Sequence, residues 1–235
     1  MRKPVAPKNV QSGEKMSKII DLHTHSFLSD GALVPAELVR KATLRGYQAI
    51  AVTDHVDSGN LTLVLAQTMN SAKGLNRSRN IKVLAGVELT HIPPDLFPEL
   101  SNKARDCGAQ IVVAHGESIA EPVAPGTNLA ALESDIDILA HPGMITPQEV
   151  KLAKKRGICL EISARKGHCL GNGHLVLLAR KYGAKLVLNT DSHTGSELFT
   201  PELIRKVGLG AGLTEKELKE AFRNSKELVK KRFKA

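Results

Sequence analysis

Residues 19–31 read IIDLHTHSFLSDG. A short apolar run ends in two histidines two apart, His23 and His25, and an acid, Asp30, follows five residues after the second. The same ending recurs along the chain. Apolar, β-branched runs occupy 18–23, 48–54, 81–89, 110–115, 136–141, 158–163 and 185–191. Longer segments of helical spacing lie between them. Residues 34–47 carry Pro35 near the start and Gly46 near the end, and 146–157 repeat this with Pro147 and Gly157, the asymmetry that helix termini favour. Asn172 and Gly183 are the predicted cap and stop of a helix over 172–183. Strands alternating with helices imply a parallel sheet, and near-continuous apolar strands imply burial on both faces. Seven such units without an obvious linker predict one closed or nearly closed β/α barrel, with an open doubly wound sheet as the alternative.

In a β/α barrel the chemistry sits at the C-terminal ends of the strands. There the first run delivers His23 and His25, the second Asp54 and His55, the third Glu88, the fourth His115, the fifth His141, and the seventh Asp191 and His193. One strand-end histidine is usually structural. Six of the nine histidines at this one kind of position, joined by acids, point to a common mouth. Imidazole and carboxylate are ligands for Zn, Mn, Fe and similar ions. About nine such groups exceed the three protein ligands of a one-metal catalytic site, so two or three divalent transition-metal ions are expected. The sixth run brings no ligand of this kind. It is followed by Arg165, Lys166 and His168 in a glycine-bearing loop. A guanidinium there is suited to bind phosphate bidentately, which makes Arg165 the substrate-binding candidate, with Lys166 and His168 behind it. Glu161 is expected in or beside the barrel, outside the ligand set. His91 and His174 are expected to be surface or structural residues, and Asp21 and Asp54 to orient ligand histidines.

The 235-residue chain carries a formal charge of +9, 42% hydrophobic residues, 3% aromatics and no Trp. The core is therefore aliphatic. Residues 1–17 read as a polar, disordered tail, and 18–235 as a single domain. Much of the charge lies at the two ends, in Arg2, Lys3, Lys8 and the KKRFK of 230–234. Three scattered cysteines are not a disulfide framework, so a reducing cytoplasm is expected. No window is long and apolar enough for a membrane span. The GLGAG of 208–212 lacks the Lys-Ser/Thr ending of a phosphate loop, and no G-x-S-x-G elbow occurs.

The set DLHTHS…SDG, TDH, GVE, AHPG and TDSH resembles the motifs of the PHP (polymerase and histidinol phosphatase) superfamily, in order from about Ile19 to His193. The resemblance implies a distorted, TIM-like (β/α)7 barrel with up to three metals at the C-terminal strand ends, and phosphoester hydrolysis. Carried over position by position, it implies that His23, His25, Glu88 and Asp191 hold one ion. Glu88 would bridge to a second ion on His115 and His141. Asp30, His55 and His193 would hold a third, with Asp30 standing where other members have a histidine. Arg165, His193 and Asp191 are the residues expected to take part in the reaction. The function expected is a phosphoesterase acting on a small phosphorylated metabolite through a metal-activated water. The alternative is a nuclease or other nucleic-acid-processing member, which the net charge supports. A non-catalytic ribonuclease P subunit of this fold is expected to lack the ligands.

Overall fold

The computed structural model describes residues 19–78 and 80–233. The tail expected over 1–17 lies outside the described residues. The strands are β1 (Ile20–Asp21), β2 (Ala49–Val52), β3 (His55–Val56), β4 (Lys82–Leu89), β5 (Ile111–His115), β6 (Ile138–Ala140), β7 (Cys159–Ser163) and β8 (Leu186–Asn189). They pair in parallel in the order β1-β2-β4-β5-β6-β7-β8, with β3 beside the end of β4. Because β3 resumes the course of β2 after a break at 53–54, these eight strands fill seven barrel positions. A parallel bridge between Thr24 and Ser192 joins the chain beyond β1 to the chain beyond β8. That contact closes the seam, and the sheet is a nearly closed TIM-like barrel rather than an open doubly wound one.

Period-two alternation sorts the strand residues. On β4, Val83, Ala85, Val87 and Leu89 pack outward with the helices, while Leu84 packs inward. Ile111 and Val113 of β5, Ile138 and Ala140 of β6, and Val187 of β8 also point in. Counting on by two from Leu84 reaches Glu88, and from Ile111 it reaches His115. The same parity that fills the barrel floor therefore delivers ligand-type side chains at its mouth. Around the outside run α1 (Pro35–Leu44), α2 (Leu61–Leu75), α3 (Phe97–Asp106), α4 (Thr127–Leu132), α5 (Pro147–Arg156), α6 (Asn172–Tyr182), α7 (Pro201–Gly210) and α8 (Glu215–Arg232). Leu228 and Val229 of α8 join the inner cluster with Ile20, Ala49 and Leu84. The last helix thus plugs the end of the barrel opposite the mouth.

The helix ends follow local chemistry. Thr146 and Glu149 form a reciprocal capping box at the start of α5, and left-handed Gly157 ends it. Thr214 and Glu217 repeat the box on α8. Asn172 is not the cap predicted for α6. It is the helix's first residue, and its amide accepts from Ser163 N at 3.2 Å and donates to Ser163 O at 2.8 Å, pinning α6 to the end of β7. Gly143 is among the glycines sterically required near the mouth. A Cβ on Gly143, whose φ is +56°, would fall onto the carbonyl oxygen of Glu117.

Candidate metal centre

Strand register brings the expected residues together. His55 of β3 pairs directly with Glu88 of β4. At the seam, Asp191 N donates to His23 O at 3.0 Å and His25 N donates to Ser192 O at 2.8 Å. His23, His25, Asp191 and His193 are thereby drawn to one side of the mouth, with His115 and His141 at the ends of β5 and β6 opposite. Alternation alone does not place His141, which follows inward-facing Ala140. Its backbone turns to φ +29°, and that of Asp191 to φ +53°. Such conformations are uncommon for non-glycine residues and concentrate at functional sites.

Four groups within this mouth each bring their ligand atoms within 4.8 Å of one another. They are His25, Asp30, His55 and His193; His23, His25 and Asp191; His23, His141 and Glu161; and Glu88, His115 and His141. Imidazole Nε2 atoms face carboxylate oxygens at 3.4 Å for His23–Glu88, 3.2 Å for His25–Asp191, 3.4 Å for His55–Asp30, 3.2 Å for His193–Asp30 and 3.6 Å for His141–Glu88. These separations exceed the 2.9–3.0 Å typical of N–H···O bonds. They match the edge of a tetrahedron with ligand bonds of 2.0–2.1 Å, which is about 3.3–3.4 Å. His23 Nε2, His25 Nε2 and Glu88 Oε1 are buried without a hydrogen-bond partner, while Glu88 Oε2 lies 2.7 Å from His55 Nδ1. Orphaned polar atoms at such depth cost about 1–3 kcal/mol each. A divalent cation would satisfy them, so the residues present fit one.

The electrostatics agree with a donor set awaiting positive charge. Burial raises the Asp191 carboxyl to about 6 despite the neighbouring His23 and His141. Burial opposes ionisation of Glu88, but His23 and His55 outweigh it and hold the carboxyl well below its ordinary value. Burial and then His55 push His25 well below the usual histidine range. Burial and His141 lower His115 to about 4. These shifts favour the neutral imidazoles of His25 and His115, the form that binds metals. Burial is outweighed at His23 by Glu161 and Glu88, which raise it well above the usual histidine range, and at His55 by Glu88, which raises it to about 10.

The outer contacts differ from those expected. Asp21 accepts from Thr190 Oγ1 at 2.6 Å and from Thr190 N at 3.2 Å. Asp54 accepts from Ser26 N, Ser26 Oγ and Ser29 Oγ, each at 2.7 Å. These two acids fasten the loops that carry the histidines rather than the rings. The rings are held by others. His23 Nδ1 lies 2.8 Å from Glu161 Oε2, His55 Nδ1 2.6 Å from Thr90 Oγ1, and His115 Nδ1 donates to Gly116 O at 3.0 Å. Glu161, set aside in the sequence, is fully buried inside the barrel, and its Oε2 also accepts from Asn189 Nδ2 at 2.8 Å. Its signal was parity, since it follows inward-facing Cys159 by two.

Arg165 reaches the expected mouth. Its Nη1 donates to Asp191 O at 3.2 Å and lies 2.6 Å from His193 Nδ1. Lys166 is exposed, whereas His168 is buried with its ring stacked 4.1 Å from that of His141. His174 binds the carbonyl of Ile145 at 2.8 Å, away from the cluster. Among the described residues no helix is long and apolar enough to cross a membrane.

The comparisons agree with this geometry. An uncharacterized protein of Methanocaldococcus jannaschii is 46% identical over 214 residues, covering 90% of this chain and 98% of that protein. Ribonuclease P protein component 3 of Methanosarcina mazei is 28% identical over 220 residues, covering 86% of this chain and 85% of the other. The crystal structure of histidinol phosphate phosphatase from Lactococcus lactis, complexed with zinc, L-histidinol and phosphate, superposes with a TM-score of 0.63. It is 18% identical, over 84% of this chain and 95% of that one, and shows the shared fold. The PHP domain family matches residues 21–229. The chain belongs to the PHP domain family.

Proposed function

We propose that this protein is a metal-dependent phosphoesterase that hydrolyses a small phosphorylated metabolite, with phosphomonoesters as the preferred class. The observation that carries the reading is the buried set of unpartnered imidazole nitrogens and carboxylate oxygens, spaced as ligands of shared ions. In this reading His23, His25, Glu88 and Asp191 hold one ion, Glu88 with His115 and His141 a second, and Asp30, His55 and His193 a third. Bound divalent ions of the zinc, manganese or iron class supply Lewis acidity at the phosphoryl group and lower the pKa of water.

The protein's own groups do the rest. Glu161 fixes the tautomer of His23 by accepting a hydrogen bond from Nδ1–H, which leaves the lone pair of Nε2 available to an ion. His193 Nδ1 faces both the Asp191 carbonyl at 3.0 Å and Arg165 Nη1 at 2.6 Å. One nitrogen cannot donate to the first and accept from the second. When Nε2 serves as a ligand, Nδ1 carries the proton and donates to Asp191 O, so His193 no longer offers Arg165 an acceptor and the guanidinium keeps only its contacts to Asp191 and Glu197. That group, partly exposed at the mouth, is then placed to bind phosphate oxygens bidentately and to stabilise the charge that develops on them.

A second reading, a nuclease or RNA-binding member, is supported by the likeness to ribonuclease P protein component 3 over 86% of the chain and by the net charge of +9. One experiment separates the two. Protein of defined metal content is assayed on a panel of phosphomonoesters and short oligonucleotides. The proposal expects turnover of a monoester with little cleavage of strands, while strand cleavage or tight RNA binding without monoester turnover would overturn it.

A further inference from the structure

Beyond the buried centre, the rim of the mouth carries a second cluster that the proposed mechanism does not use. It is built from two loops and one strand end that the fold interlocks. Glu121 lies in the loop after β5, His168 in the loop after β7, and His91 two residues past β4. His91 Nε2 lies 3.4 Å from Glu121 Oε1, and His168 Nε2 lies 3.4 Å from Glu121 Oε2. His115 Nε2 is 3.8 Å from the same Oε2. His91 and His168 thus each face one oxygen of the same carboxylate at 3.4 Å, and His91, His115 and Glu121 bring their ligand atoms within 4.8 Å of one another.

The supporting contacts are those of a ligand set. His168 Nδ1 is engaged by Ser118 Oγ at 2.6 Å, so only Nε2 is left to face Glu121. That outer hydroxyl fixes the ring as second partners fix metal-binding histidines. A left-handed backbone at His91, φ +53°, accompanies its approach to the cluster. Neighbouring loops meet at the same place, for a Cβ on Gly167 would stand 2.8 Å from the Cβ of Ala120. His115 belongs to both clusters, since it also groups with Glu88 and His141. Its longer distance to Glu121 assigns its nitrogen to the inner centre first. Exposure separates the two clusters. The side chains of His91 and Glu121 are 50% and 51% exposed, against 0% for Glu88.

We propose that His91, Glu121 and His168 form a separate rim site for a divalent transition-metal ion such as zinc, weaker and faster to exchange than the buried centre. Two imidazoles and one carboxylate are a zinc donor set. Half-exposed ligands hold an ion less tightly because they give up more freedom and compete with water.

The test is metal titration of the full chain with its tightly bound ions in place, using Zn²⁺ for stoichiometry and Co²⁺ for its absorption spectrum. Wild-type protein should take up one further ion per chain after desalting, with a visible Co²⁺ band of low coordination number. Glu121→Gln and His91→Ala should each weaken that uptake at least tenfold while leaving the retained metal content and circular dichroism unchanged. No further uptake by the wild type would overturn the site, as would unchanged uptake in both variants. Loss of the tightly held ions in Glu121→Gln would overturn its separateness. The measurement does not depend on phosphoesterase activity, so failure of the proposed reaction and failure of the rim site are read independently.

Discussion

Glu161 offers the sharpest single perturbation of the centre, because it acts through His23. Its Oε2 accepts from both His23 Nδ1 and Asn189 Nδ2 at 2.8 Å, fully buried, while Oε1 has no hydrogen-bond partner. Two substitutions divide its role. In Glu161→Gln the amide oxygen can take the place of Oε2 and keep both bonds, and the NH₂ replaces the unpartnered Oε1. Only the charge is lost. A bond from His23 to a carboxylate is worth about 1.5–3 kcal/mol and one to a neutral acceptor about 0.5–1.5. The expected weakening is therefore about 1 kcal/mol, or roughly five-fold in metal affinity. Glu161→Ala removes both bonds and frees the ring to rotate, and loss of such an outer partner typically costs about 10- to 100-fold in metal affinity. Competition against a chromophoric chelator at fixed pH measures both, with thermal melting of the metal-free proteins as the control for folding. Wild-type metal affinity in folded Glu161→Ala would refute the reasoning, since His23 would then be oriented by something other than Glu161.

Arg165→Ala should keep its metals and lose roughly 30- to 1000-fold in kcat/KM on a phosphomonoester, with Arg165→Lys recovering only part; steady-state kinetics with elemental analysis of the same samples would check both. Burial holds the Asp21 carboxyl up to about 7 in the fold, against 3.8 for the free group. A raised acid favours the protonated fold, so its contribution is fully present below pH 4 and is lost as pH rises through about 7. Chemical denaturation of metal-free protein across that window should show Asp21→Asn gaining stability relative to wild type as pH rises, and a constant difference would contradict the assignment.

The architecture was legible because each strand is a short apolar run closed by glycine- or proline-marked helices, and parity needs no tertiary information. The short break that splits β2 from β3 was not, because residues 48–54 read as one run and the pairing of His55 with Glu88 depends on β4. The nine expected ligands converge because strand ends are where a barrel gathers side chains. What each ring's second nitrogen binds was illegible. Asp21 and Asp54 stand next to histidines in sequence, yet the turns they stabilise consume their oxygens. Glu161 and Thr90 reach His23 and His55 from other strands. Glu121 carries no strand-end signature and His91 lies two residues past β4, so their meeting depends on how the loops interlock. Asn172 looked like a cap because caps and strand clamps use the same amide chemistry.

The account stands on metal binding at the buried mouth, and elemental analysis of protein expressed with ample zinc, manganese and iron, then desalted, tests it most directly. Two or three transition-metal ions retained per chain is the result the account predicts. Fewer than one ion per chain, in protein that is folded, would contradict it.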